Sequence, residues 1–67
     1  MKTTLKDLRL ENGKSRAEVA AALGVTTNAV TNYESGARRI NIEQVLTLSK
    51  LYTLTAEEII VAQLNSL

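Results

Sequence analysis

The sequence predicts an all-α domain: a compact bundle of five short helices, with the second and third joined by a very short turn. Three observations carry this reading. Apolar residues recur at three- and four-residue spacing and never alternate over a useful length, so no strand is expected. Ser, Thr and Asn precede these segments, several with Glu or Gln three residues on, the pattern that caps a helix start. Gly13, Gly24 and Gly36 follow the first three segments, where glycine takes the left-handed cap conformation without a Cβ clash.

The first helix is expected from about Thr4 to Asn12, with Leu5 and Leu8 facing inward and Gly13 as its stop. The second opens on Ser15-Arg16-Ala17-Glu18, a capping box in which the serine hydroxyl and the glutamate satisfy free backbone donors reciprocally. Val19, Ala20 and Leu23 form its apolar face and Gly24 ends it. The third begins near Thr26 as N-cap, turns Ala29, Val30 and Tyr33 inward and closes at Gly36. Residues 37–40 read as a loop. The fourth starts at Asn41, with Gln44 completing a second box. Ile42, Val45, Leu46 and Ser49 mark one face, widened by Leu48, Leu51 and Tyr52. The fifth starts at Thr55 with Glu58 three residues on, and Ile59, Ile60 and Leu64 recur at helical spacing.

Composition narrows the function. The 67 residues allow one domain, spanning 1–67, and a core this small leaves little net stability. Cysteine and histidine are absent, which removes disulfides, thiolate metal sites and the commonest general base. Phe and Trp are also absent, so the core must be Leu, Ile, Val and Ala with Tyr33 and Tyr52. The carboxylates are scattered, and the glycines are too far apart for a phosphate loop. No enzyme, no cofactor and no small-molecule ligand is expected. Neither a signal-peptide apolar run nor a membrane span is present in the sequence, and a cytoplasmic protein is expected. Net charge is only +1, but it is uneven. Lys14, Arg16, Arg38 and Arg39 face only Glu18 and Glu34 across residues 14–39, whereas residues 43–67 set Lys50 against Glu43, Glu57 and Glu58.

The segment from Arg16 to Glu34 is the most informative. Its connecting turn has room for only a few residues, so the two helices must cross steeply. Ala20 is small enough for close approach, Gly24 gives the turn its freedom and Val30 plugs the space between the helices. Leu5, Leu8-Arg9, Glu18-Val19-Ala20, Leu23-Gly24-Val25, Val30, Tyr33-Glu34 and Gly36 together resemble the lambda-repressor/Cro-like (XRE) helix-turn-helix family. The resemblance continues through Leu46, Leu48, Leu51 and Thr55–Ile59, and covers about residues 4–60. The chain departs from the family at Arg16, where glutamine is usual, at Lys14, where an apolar residue is usual, and at Ile40, often proline. The first departure bears on one phosphate contact. The second is expected to loosen the start of the second helix, and the third to leave residues 37–41 more mobile.

The resemblance implies that the third helix enters the major groove of double-stranded DNA by its N-terminal residues. Thr26, Thr27, Asn28, Thr31 and Asn32 are then the base-contacting side chains. Asn28 suits a two-bond pairing with adenine, and threonine methyls suit the thymine methyl. The alternative at the same positions is that Thr and Asn merely cap the helix and face water. Lys14, Arg16, Ser35, Arg38 and Arg39 are the implied phosphate contacts. Arg16 sits in the first turn of a helix, where a cation is mildly unfavourable, and so hints at an anionic partner. Arg9 and Glu34 are implied to form a partly buried structural ion pair.

The apolar end, Ile60, Val61, Leu64 and Leu67 with Ile59, holds more aliphatic surface than one helix is expected to bury. A homodimer surface follows as an expectation, with two recognition helices about 34 Å apart over an inverted repeat. The reading is a Cro- or repressor-type regulator of a bacterial or phage-infected cytoplasm, associated with the nucleoid. The alternative is an antitoxin or anti-repressor whose main partner is another protein, with DNA binding secondary.

Overall fold

The computed structural model describes residues 2–67, and its elements are all helices: α1 Leu5–Glu11, α2 Arg16–Leu23, α3 Thr27–Ser35, α4 Ile42–Tyr52 and α5 Ala56–Ser66. Helices this short are marginal alone in water, so their ends and their packing decide whether they form. Four starts are reciprocal capping boxes: Thr4 with Asp7, Ser15 with Glu18, Asn41 with Gln44 and Thr55 with Glu58. Thr26 caps α3 through its hydroxyl, which accepts from the Ala29 amide at 3.2 Å. Each such cap contributes about 1 kcal/mol. Thr4 is therefore a cap and not the first helical residue, and its box with Asp7 was not anticipated.

Gly24 carries the α2–α3 turn in the left-handed region, with φ +69°. The Val25 amide then reaches back to the Ala20 carbonyl at 3.0 Å, closing the end of α2 before Thr26 starts α3. No glycine serves the α4–α5 junction. Thr53 takes the left-handed conformation there, with φ +56°, which costs a residue with a Cβ about 1–2 kcal/mol. The Ser49 carbonyl accepts from the Leu54 amide, and the Ser49 hydroxyl donates to the Leu54 carbonyl, fastening that turn.

The core is Leu5, Leu8, Val19, Ala20, Ala29, Val30, Tyr33, Ile40, Val45, Leu48, Tyr52, Ile59 and Ala62, with Leu23, Val25, Leu51 and Leu54 packed around it. Ile59 is wholly buried at its centre. The inward faces expected of α1, α2 and α3 are the ones found. On α4 the expected face is rotated. Ile42 and Leu46 are exposed, and the buried stripe is Val45, Leu48 and Tyr52. Both sets fit a helical period, so periodicity alone could not choose between them; packing on α2 and α5 does. On α5 the buried stripe is Ile59, Ala62 and Gln63, while Ile60 and Leu64 point outward.

The last turn of α5 is tied to the start of α1 and the residue before its cap. Ser66 accepts from the Leu5 amide at 3.0 Å, and the Asn65 amide group donates to the Thr3 carbonyl at 2.9 Å. Gln63 accepts from the backbone amide of Ile40. Ile40 itself is a core residue, so the segment expected to be loosest for want of a proline is anchored by an apolar plug and a buried hydrogen bond. Gly36, with φ +83°, lies directly under Ser66 and Leu67.

The two turn glycines should consequently respond differently to alanine. Both sit in the left-handed region, where a Cβ costs about 1–2 kcal/mol. At Gly24 a Cβ meets nothing within 4 Å, but at Gly36 it would stand 2.5 Å from the Ser66 carbonyl oxygen. In thermal melts Gly36→Ala is expected to lose clearly more stability than Gly24→Ala. Equal losses would mean that the end of α5 does not press on this turn.

Candidate nucleic-acid interface

α3 is held on its inner side by α1, α2 and α5. Ala29, Val30 and Tyr33 bury against them, which leaves Thr27, Asn28 and Thr31 exposed on the opposite side and Asn32 half-buried at its edge. The far end of α3 is fixed by charge. The Arg9 Nε donates to Glu34 Oε2 at 2.6 Å and its Nη2 to Oε1 at 3.3 Å, a two-pronged pairing of side chains that are each only 8% exposed. The third prong, Nη1, donates to the Lys14 carbonyl at 3.1 Å. One guanidinium thus joins α1, the α1–α2 connection and the end of α3. The bond to Glu34 raises the Arg9 pKa further above its ordinary value. Tyr52 borders this pair, and burial together with the Glu34 charge pushes its phenol up to about 12.

The cations sit around this helix in distinct ways. Arg16, at the first position of α2, reaches Glu34 Oε1 through its Nε at 3.4 Å while its side chain stays 44% exposed. Its guanidinium therefore leans toward the end of α3 without being buried there. Ser15 and Glu18 complete the start of α2, and the bonds from Ser15 hold the Glu18 carboxylate below its usual pKa. In the α3–α4 loop the Arg38 guanidinium lies over the Tyr33 ring, 5.6 Å from its centroid. Gln44 donates to the Tyr33 hydroxyl at 3.1 Å, so ring and guanidinium stack on a fixed base. The Arg38 amide donates to the Asn32 carbonyl at 3.2 Å. Arg39 is exposed beside it.

A family model for helix-turn-helix domains matches residues 5–59. The chain belongs to the lambda-repressor/Cro-like (XRE) helix-turn-helix family. It is accordingly a DNA-binding transcription regulator of the XRE type, a family of regulatory and not enzymatic domains. No curated protein and no solved structure matches it. Among the described residues, no helix is long and apolar enough to cross a membrane.

Within this XRE domain the side chains singled out from the sequence fall into two groups. Several hydroxyls are already engaged by the fold. Thr26 caps α3, Thr31 donates to the Thr27 carbonyl at 3.2 Å, and Ser35 donates to the Asn32 carbonyl while accepting from the Ala37 amide. Among the described residues, Thr27 and Asn28 make no side-chain hydrogen bond within the chain and stand on the exposed side of α3. Lys14 is half-buried and contributes backbone atoms to the Arg9 network, whereas Arg38 and Arg39 project from the loop. Ile60, Val61, Leu64 and Leu67 are each 39–53% exposed along α5 and its end.

Gln44 and Gln63 were not anticipated in these roles. The sequence marks Gln44 only as a capping residue and assigns Gln63 no role, because nothing local marks a polar side chain for burial. A groove of about 410 Å³ runs between α1 and α5 with Leu8, Glu11, Leu54, Glu57 and Val61 on its walls, and it includes no residue of α3.

Removing Arg9 leaves the Glu34 carboxylate, 8% exposed, with only the 3.4 Å contact to the half-exposed Arg16. Arg9→Met is expected to cost about 3–5 kcal/mol in urea unfolding. Arg9→Met combined with Glu34→Leu should cost clearly less than the sum of the two single changes, because no charge is left buried alone. A simple sum would show that the two side chains are not coupled.

Proposed function

We propose that the chain is a Cro- or repressor-type regulator that reads an inverted-repeat operator as a homodimer, in a bacterial or phage-infected cytoplasm. The observation that carries this reading is the exposed Thr27–Asn28–Thr31 side of α3, on a helix whose end is approached by cationic groups from two other segments. Asn28 presents an amide with both a donor and an acceptor, the pair needed for the N6/N7 edge of adenine. Thr27 and Thr31 offer methyl groups for thymine, and Thr26 and Asn32 flank them.

Arg16 reaches Glu34 near the end of α3 and Arg38 lies over Tyr33; with the exposed Arg39 they would supply the backbone contacts that position such a helix in a groove. Lys14 and Ser35 complete the proposed set of phosphate contacts. Phosphate contacts set register and affinity without sequence preference, so base discrimination falls to α3.

Two copies are favoured by size and by surface. The longest dimension of the domain is 27 Å, shorter than the roughly 34 Å between successive major-groove faces of a duplex. One copy therefore spans a single half-site. Ile60, Val61, Leu64 and Leu67 form the apolar stripe on α5 through which a second copy would associate.

Gel shifts on a duplex selected from random DNA test this reading. Asn28→Ala is expected to lose about 1–3 kcal/mol on the preferred site and to relax preference at one base position. Arg38→Ala should weaken all sequences alike and make the slope of log K against log salt shallower by about 0.9. An unchanged base preference in Asn28→Ala contradicts the assignment of α3. Strong capture of a partner protein without sequence-selective DNA binding would favour an antitoxin-like role instead.

A further inference from the structure

We infer that Gln63, outside the residues that the family match covers, is a positioning residue for the DNA-gripping loop. The inference rests on the proposal that Arg38 and Arg39 hold DNA phosphates. Gln63 is buried on α5, and its side-chain oxygen accepts from the amide of Ile40, the residue directly after Arg39. An amide buried without an acceptor would favour a different loop path, because an unmet donor away from water is costly. The family match ends at residue 59, so this brace is added by the following turn of α5.

The loop is pinned at three points. At its start, Gly36 lies against Ser66 and Leu67, close enough that a Cβ would collide with the Ser66 carbonyl. In its middle, the Arg38 amide is bonded to Asn32 and its guanidinium rests on Tyr33. At its end, Ile40 is buried and bonded to Gln63. Two of these three pins come from residues 63–67. The same helix carries the exposed Ile60, Val61 and Leu64, with Leu67 at its end, alongside the buried Gln63. α5 thereby connects the proposed association surface to the arginines: whatever steadies its last turn also steadies the loop. Gln63 touches no DNA in this arrangement and acts through the path of residues 37–40.

The test is a double-mutant cycle on DNA affinity. Gln63→Met keeps the volume and removes the acceptor. It should weaken binding to the selected duplex by roughly five- to tenfold and make the salt slope shallower by about one to two phosphate contacts. In a chain already carrying Arg38→Ala and Arg39→Ala, the same change should alter affinity by less than about twofold, since its effect passes through the missing groups. Gln63→Glu retains an acceptor oxygen and should recover most of the loss.

An equal loss in both backgrounds, or an unchanged salt slope, would overturn the inference by showing a purely structural residue. If the arginine variants leave the slope unchanged, the loop reading itself fails and the inference falls with it. If they flatten it and Gln63→Met does not, only the role of Gln63 fails. Should Gln63→Met not fold, hydrogen exchange of the wild-type Ile40 amide decides. Protection of roughly a hundredfold or more is expected, and exchange at the rate of an open loop would overturn the inference.

Discussion

The interaction between Arg9 and Glu34 sets the geometry on which everything else depends. Hydrophobic burial holds the helices together but is non-directional, and an all-aliphatic core tolerates several packings. A guanidinium does not. Its planar fork meets the Glu34 carboxylate with two bonds and the Lys14 carbonyl with a third, so α1, the start of α2 and the end of α3 share one fixed point. The pair has been taken out of water, and its net contribution to stability is smaller than its geometry suggests. Its value lies in direction. α3 can rotate or slide only by breaking bonds that have no replacement inside the protein.

With α3 fixed, its polar residues divide by what the fold already asks of them. Thr26, Thr31 and Ser35 spend their hydroxyls on the helix itself, which is what short hydroxyl side chains do near helix ends. Asn28 is different. Asparagine is a poor helix former, and here it neither caps nor bonds to a neighbour, so the fold gives no reason for its presence. The same logic separates the cations. Arg9 is consumed by the core, Arg16 shares Glu34 while remaining half-exposed, and Arg38 lies over the Tyr33 ring. Glu34 thus serves two arginines of different burial, one in the core and one half-exposed.

Much of the fold was legible in the sequence because it is written locally. Ser15/Glu18, Asn41/Gln44 and Thr55/Glu58 announce helix starts through contacts three residues apart, and Gly24 and Gly36 announce ends through a backbone conformation that other residues avoid. The legible part stops where a decision depends on distant neighbours. Two faces of α4 fit the same period, and only the position of α2 and α5 puts Val45, Leu48 and Tyr52 inside and Ile42 and Leu46 outside. Thr53 takes a left-handed turn that no local signal marks. Gln63 is a polar residue made buriable by one amide 23 positions earlier. The candidate site follows the same division: α3 and its exposed Thr/Asn side were visible from the turn before it and from the family likeness, but the occupied hydroxyls of Thr31 and Ser35 and the ring beneath Arg38 are read only from the structure.

The central claim is that the outward side of α3 and the loop after it form one surface that meets DNA. The most direct test is a titration of isotopically labelled protein with a selected duplex, followed amide by amide in solution. The account predicts that the largest shifts cluster at residues 27–32 and 37–39, and that Arg9, Glu34 and the core amides of α1 change little. Shifts confined to the groove between α1 and α5, or to Ile60 and Leu64, with α3 undisturbed, would contradict it.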